Sequence, residues 1–242
     1  MLLFSLLIPG ASLVVSGRLL AGFAIPVLGL LWVSILSISR WVITIEGFIS
    51  LLVGLIVLHL VSYGYGLYFS ATDNKALRKR TLTLAVMGLI VSNLSITVGS
   101  HFYKDKWFGF AFYHIPSISM VPTLIPGDIV LVDSWVYQHQ PPQKSQVALF
   151  HKNENTPETY IKRVVQTAGF EYQWQDKEQK NNQVLLADKQ YFMMGDNHQF
   201  SHDSRDFGAI TEDLLTAQAK FIIVSVAPGW QLRKLRSWKI IE

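Results

Sequence analysis

The chain has 242 residues, 50% of them hydrophobic and only 16% charged, a balance too apolar for an ordinary soluble domain and suited to a chain that is part membrane and part globular. It contains no cysteine, which excludes a disulfide framework, a thiolate metal site and a cysteine nucleophile. The net charge of +4 is of the kind that basic residues beside membrane segments produce, so it is read as a membrane signature and not as a footprint for nucleic acid.

Almost all the charge lies after Lys104, and the residues before it form long apolar runs. A bilayer crossing takes roughly 20 mostly apolar residues. Leu19–Ser39, Gly47–Phe69 and Thr81–Ser100 satisfy this, and Met1–Gly17 is read as a fourth, weaker span. That first stretch lacks the basic start of a secretory signal, and Pro9-Gly10 interrupts its apolar core. The loop carrying Lys75, Arg78, Lys79 and Arg80 is the densest basic cluster between spans, which assigns it to the cytoplasm and everything after Ser100 to the outside. The predicted organisation is therefore three to four transmembrane α-helices over residues 1–102 and an extracytoplasmic β-rich domain over 103–242. Glu46 and His59 are the ionisable residues in or near the span over 47–69, where such groups can mark ion pathways. The preferred reading places Glu46 at the interface and His59 in a hydrogen bond within the bundle.

Next comes "HFYKDKWFGFAFYHIP", whose aromatics suit an interfacial belt, while the alternation of Phe108, Phe110 and Phe112 suits a strand with one apolar face. Beyond it the runs "DIVLVDSWVY", "QVALFH", "TYIKRVVQ", "QVLLA", "QYFMM" and "AKFIIVSVA" are β-branched or aromatic. Turn formers such as "IPGD", "HQPPQ" and "MGDN" separate them. "TEDLLTAQ" is the one expected helical turn, and Lys177–Asn182 is read as a polar loop. The final "WQLRKLRSWKIIE" mixes Arg233, Lys234, Arg236 and Lys239 with Trp230 and Trp238. It is open to two readings, contact with anionic lipid or a solvated strand or tail, of which the second is favoured.

With cysteine absent and no compact metal motif, a hydrolase built on this chain would need a serine nucleophile and a base. Ser119 lies in "PSISMVPTL", where Pro116 and Pro122 restrict the backbone so that a hydroxyl can be displayed. Taken alone, a serine between prolines is usually an ordinary loop residue. In "TYIKRVVQ", alternation sends Tyr160, Lys162 and Val164 to one face and Ile161, Arg163 and Val165 to the other. Lys162 therefore has apolar or aromatic neighbours. Bringing a lysine to roughly 7 to 8 takes about 3 to 5 kcal/mol of desolvation and related effects; from this octapeptide alone the favoured reading is a lysine that snorkels from a strand edge. In "MGDNHQFSHDSRDFG", Ser201, Asp203, Ser204 and Arg205 set hydroxyls, a carboxylate and a guanidinium close together, either as solvated loop or as the support of a site.

Together, "IPSISMVPTLIPGDIVLV", "YIKRVV" and "MGDNHQFSHDSRDFGAI" resemble, in order and content, the type I signal peptidases, membrane-anchored Ser/Lys enzymes that remove signal peptides. The likeness spans about residues 112–226. It implies a mainly-β catalytic domain of signal-peptidase type and a serine endopeptidase without cofactor or metal. Ser119 matches the nucleophile and Lys162 its general base. Ser117 matches the serine that joins the Ser119 N–H in the oxyanion hole, and Ser201 the residue that hydrogen-bonds the lysine. Asp203 and Arg205 match a structural pair beneath the site, with Met120 packed alongside. The implied partners are preproteins with small residues before the cut, the lipid bilayer and the export machinery; the implied location is the inner membrane, with the catalytic domain on its outer side. Two departures touch the local turn and substrate range: "QTAGFEYQ" replaces a Gly-x-Pro-Gly-Asp turn, and His198 stands where an arginine is usual. A repressor-cleaving Ser/Lys autoprotease shares the serine and lysine motifs, but such proteins carry DNA-binding modules where this chain has membrane spans. A noncatalytic assembly protein with a decayed peptidase domain is the remaining alternative.

Overall fold

In the computed structural model, which describes residues 8–72, 79–153, 158–175 and 180–242, the chain divides into two units, Met1–Phe108 and Gly109–Glu242. In the first, the apolar runs form helices α2 (Leu19–Ile38), α3 (Ile45–Thr72) and α4 (Lys79–Trp107). All three contain segments long and apolar enough to cross a membrane. Large apolar side chains such as Leu20, Ile35, Val53, Leu60, Leu84 and Val91 point outward, as lipid solvent demands. Where helices touch, small residues let the backbones approach: a Cβ on Gly66 would fall 2.4 Å from Ser12 Cβ, and the buried Ser12 hydroxyl donates to Ser62 O at 3.0 Å. Glu46 lies exposed in the first turn of α3.

The expected fourth span is not a continuous helix in its described part; Met1–Leu7 lie outside the described residues. The remainder folds as the five-residue helix α1 (Ala11–Val15), bounded by Gly10 and Gly17, both at positive φ. Pro9 and those two glycines break the helical repeat before it reaches spanning length. Lys75 and Arg78 of the basic loop lie outside the described residues, while Lys79 and Arg80 open α4.

The second unit is mainly β. Its strands are β1 (Phe110–His114), β2 (Asp128–Asp133), β3 (Val147–His151), β4 (Thr159–Gln166), β5 (Glu171–Gln175), β6 (Asn181–Leu185), β7 (Gln190–Met194), β8 (Ile210–Thr211), β9 (Leu215–Ala227), β10 (Gln231–Leu232) and β11 (Lys239–Ile240). Among the described residues the main sheet runs β1-β2-β9-β3-β4-β7-β8, with β10 and β11 also on β9, while β5 and β6 form a separate hairpin. The pairs are antiparallel, and the bulges at Ile129/Val130, Leu131/Val132 and Leu149/Phe150 curl the sheet.

Period-two patterning explains the cores. In β3, Val147 and Leu149 enter one apolar cluster with Met120, Leu124 and Ile222. Ala148 and Phe150 enter another with Val164, Met193 and Ile210. Three assignments shift, a strand, a helical turn and a loop. "DIVLVDSWVY" stops being a strand at Asp133, whose carboxylate accepts the Trp135 N–H at 3.0 Å and turns the chain into the short helix α5 (Val136–His139). "TEDLLTAQ" keeps only a 3₁₀ turn, Glu212–Leu214, because Leu215, Ala217 and Ala219 alternate inward as β9. Asn181 and Asn182, read as loop, open β6, and Lys177 lies outside the described residues.

Candidate active site

Ser119 sits in the loop between β1 and β2. Ile115 N–H to Asp128 O and Gly127 N–H to Ile115 O, both 2.9 Å, close that loop at its neck. Within it, Val121 N–H donates to Ile118 O at 3.1 Å and Leu124 N–H to Met120 O at 2.9 Å. Met120 and Leu124 are buried in the core, so the turn is anchored on the residue next to the serine. Lys162 projects from the middle of β4, directly across from Ala148, a partner small enough to leave the amine room.

The two segments meet. Lys162 Nζ donates to Ser119 Oγ at 2.7 Å, with the lysine 4% and the serine 7% exposed. Ser117 Oγ lies 3.2 Å from Ser119 Oγ, on the exposed side of the loop. Burial pulls the Lys162 amine down from 10.5 to about 8, against the opposing pull of the Asp203 and Asp196 carboxylates. The parity argument from the sequence holds here: Lys162 is inside, and Arg163 is sent elsewhere. Arg163 forks onto Asp196 at 2.8 and 2.7 Å. Burial works to raise Asp196, but the hydrogen bonds from Arg163 and Thr123 outweigh it and keep the carboxyl below its ordinary value.

The segment after β7 forms the floor. Asn197 N–H donates to Ser119 O at 3.0 Å and Asn197 Nδ2 to Ile118 O at 3.1 Å, so this turn grips the serine by its backbone. Gly195 allows the approach: a Cβ there would lie 2.5 Å from Ser119 O and 2.2 Å from Ser201 Oγ. Asp203 is fully buried and caps helix α6 (Ser204–Phe207), with Asp206 closing the capping box. Its carboxylate accepts Gly195 N–H at 3.0 Å and is forked by Arg205 at 2.8 Å on each oxygen. Arg205 also reaches His198 O at 2.7 Å. Burial works to raise Asp203, and the contributions of Arg205, the Ser201 hydroxyl and Gly195 N–H overcome it, leaving the carboxyl below its ordinary value.

Ser117, Ser119, Met120, Lys162, Ser201, Asp203 and Arg205 thus fall in or around one site. One expected contact is not made: the buried Ser201 hydroxyl forms no hydrogen bond to Lys162 and lies instead beside Gly195 and the Asp203 carboxylate. Sequence reading missed Asp196, Asn197 and Gly195 as more than turn formers, and it used Arg163 only as the neighbour to be excluded. An acid and an amide in "GDN", paired in thought with the second basic residue of "KR", were the available signal. Chemically, a dry amine against a serine hydroxyl, with a second hydroxyl alongside, suits acyl transfer.

The chain matches the family model described as signal peptidase, peptidase S26, over residues 91–178 and 170–224. It is similar to the probable signal peptidase I-1 of Synechocystis, 29% identical over 45% of this chain and 68% of that protein. It is also similar to signal peptidase I of Aquifex aeolicus, 34% identical over 31% of this chain and 29% of that one. Signal peptidase IB of Staphylococcus aureus is 27% identical over 45% of this chain and 75% of its own length. The match to the Aquifex protein spans less than a third of that relative's length.

Proposed function

Because the chain belongs to the peptidase S26 family of signal peptidases, we propose that it is a membrane-bound serine endopeptidase that removes N-terminal signal peptides from exported preproteins, with Ser119 as nucleophile and Lys162 as general base. The observation that carries the assignment of roles is the 2.7 Å contact from Lys162 Nζ to Ser119 Oγ in a site from which solvent is largely excluded. Neutral Lys162 takes the Ser119 proton as the oxygen attacks the scissile carbonyl, and the oxyanion is held by the Ser119 N–H and the Ser117 hydroxyl. The resulting ammonium protonates the leaving amine, and water repeats the cycle on the acyl-enzyme. Asp203, Arg205, Asp196 and Asn197 touch none of these atoms; they hold the backbone that does.

The substrates in this reading carry small residues before the cut, and the export machinery delivers them to the bilayer. In this reading the span Thr81–Gly99 separates the basic loop at 75–80 from the peptidase unit, and the positive-inside tendency supports a cytoplasmic loop and an outer domain. Arg18 adds to the basic side: its guanidinium lies 3.5 Å over the Phe69 ring, at the end of α3 that leads into that loop. The domain is therefore assigned to the outer face of the inner membrane.

The test is cleavage of a preprotein by the full chain in detergent. Ser119→Ala and Lys162→Ala are each expected to lose all cleavage while keeping the circular dichroism of the parent. Full activity in either variant overturns the dyad.

A further inference from the structure

The segment after β9, read from sequence as a tail, is a strap laid back over the loop that carries Ser119. β10 and β11 pair with β9, Ile241 N–H donates to Lys220 O at 3.0 Å, and the Ile241 side chain packs on the cluster that holds Met120 and Leu124. Two of its arginines turn inward, which departs from both readings of the tail. Arg233 Nη1 donates to Pro126 O at 2.9 Å. Arg236 reaches Asp128 Oδ2 at 2.7 Å and Oδ1 at 3.4 Å, Thr123 O at 2.9 Å and Pro122 O at 3.4 Å.

Asp128 is fully buried and its carboxylate also accepts the Ile125 N–H at 2.9 Å. One guanidinium therefore ties the stretch just beyond Ser119, at Pro122 and Thr123, to the end of the loop at β2. At the far end of the strap, Glu242 O accepts Arg163 Nη1 at 2.7 Å, and Arg163 is the residue next to Lys162. The strap thus holds both halves of the site, the serine loop through Arg236 and the lysine strand through Arg163.

We infer that residues 233–242 set the serine loop against the lysine strand, with Arg236 as the positioning residue for Ser119; this rests on the dyad proposed above. Removing the guanidinium leaves a buried carboxylate uncompensated. The loop must rearrange to hydrate Asp128, and Ser119 moves with it. A displacement of about 1 Å at a reacting atom can cost a hundredfold in rate. Arg236 touches neither Ser119 nor Lys162, so its effect is on geometry and on the dryness of the amine.

The experiment measures kcat and KM separately, across pH, for the full chain in detergent cleaving a peptide with small residues before the cut. Arg236→Ala and Asp128→Asn are expected to lower kcat about 10- to 100-fold with KM held within about twofold. The kcat inflection should move upward, towards the value of a free lysine, as water reaches the amine. The double variant should be no worse than the singles, because both remove one interaction. Arg236→Lys should recover part of the loss, and Lys234→Ala, on the exposed side of the strap, should show the kcat and inflection of the parent. If Arg236→Ala fails to fold, Arg236→Lys and Asp128→Asn carry the test. A kcat and inflection equal to the parent's overturns the inference, and so does a loss that only follows the fraction of unfolded chain at an unmoved inflection. Ser119→Ala and Lys162→Ala run in parallel separate the two ideas. If they are inactive while Arg236→Ala is fully active, only the strap is rejected; if they are active, the dyad itself is.

Discussion

In the proposed dyad, Lys162 owes its role as base to what surrounds it. A strand position that alternates with Tyr160 and Val164 and faces Ala148 keeps the amine dry, and dryness brings it to about 8. Only the neutral amine can accept a proton, so kcat/KM is expected to climb with pH through an apparent pKa near 8 and to level off above it. A profile that is flat from pH 6 to 10 would rule out a titrating amine base. The same shift has a sign for stability. The unfolded chain binds this proton more tightly than the folded one, so the lysine costs stability below about pH 8, and that cost disappears as pH rises towards 10.5. Lys162→Met should remove this rise, as measured by urea midpoints at pH 7 and pH 10. Gly195 makes the opposite kind of demand, for empty space. Its Cβ would strike a backbone oxygen of Ser119, which cannot swing aside, so Gly195→Ala is expected to lower cleavage by about a hundredfold or more.

Among the elements, α6 and the turn before it serve the site through Asp203. Its carboxyl is held below its ordinary value by Arg205 and by backbone N–H groups. The stability this contributes is present above pH 4 and is lost as the pH falls through the depressed value. Asp203→Asn strands the Arg205 guanidinium, only 10% exposed, and should cost roughly 3 kcal/mol at pH 7, read as a lowered midpoint that shrinks in acid. The strands were legible in the sequence because a period of two is written residue by residue; the burial of Lys162 was not, since the octapeptide alone favoured a lysine snorkelling from a strand edge and only the resemblance pointed inward. The meeting of distant loops was not legible either. Nothing in the spacing of "GDN" says that its amide will take the carbonyl of Ile118, and the tail's arginines read as solvent or lipid groups because Asp128 lies far away in the chain. Short apolar runs were also misassigned where a single side chain ended them, as Asp133 does for β2.

At the scale of the whole molecule, three apolar helices and a peptidase unit make a membrane protein whose two ends face different compartments in the proposed orientation. A tag placed in the basic loop at 75–80 should be shielded from protease added to intact spheroplasts, while one after Glu242 is digested; the reverse pattern would invert the topology. Finally, β3 is buried on both sides, lending Val147 and Leu149 to one apolar cluster and Ala148 and Phe150 to the other. The pocket around the lysine thus borrows its order from two interiors through a single five-residue strand. Warming that loosens either interior lets water charge the amine while most of the sheet is still intact, so cleavage should fade several degrees before the far-ultraviolet signal does.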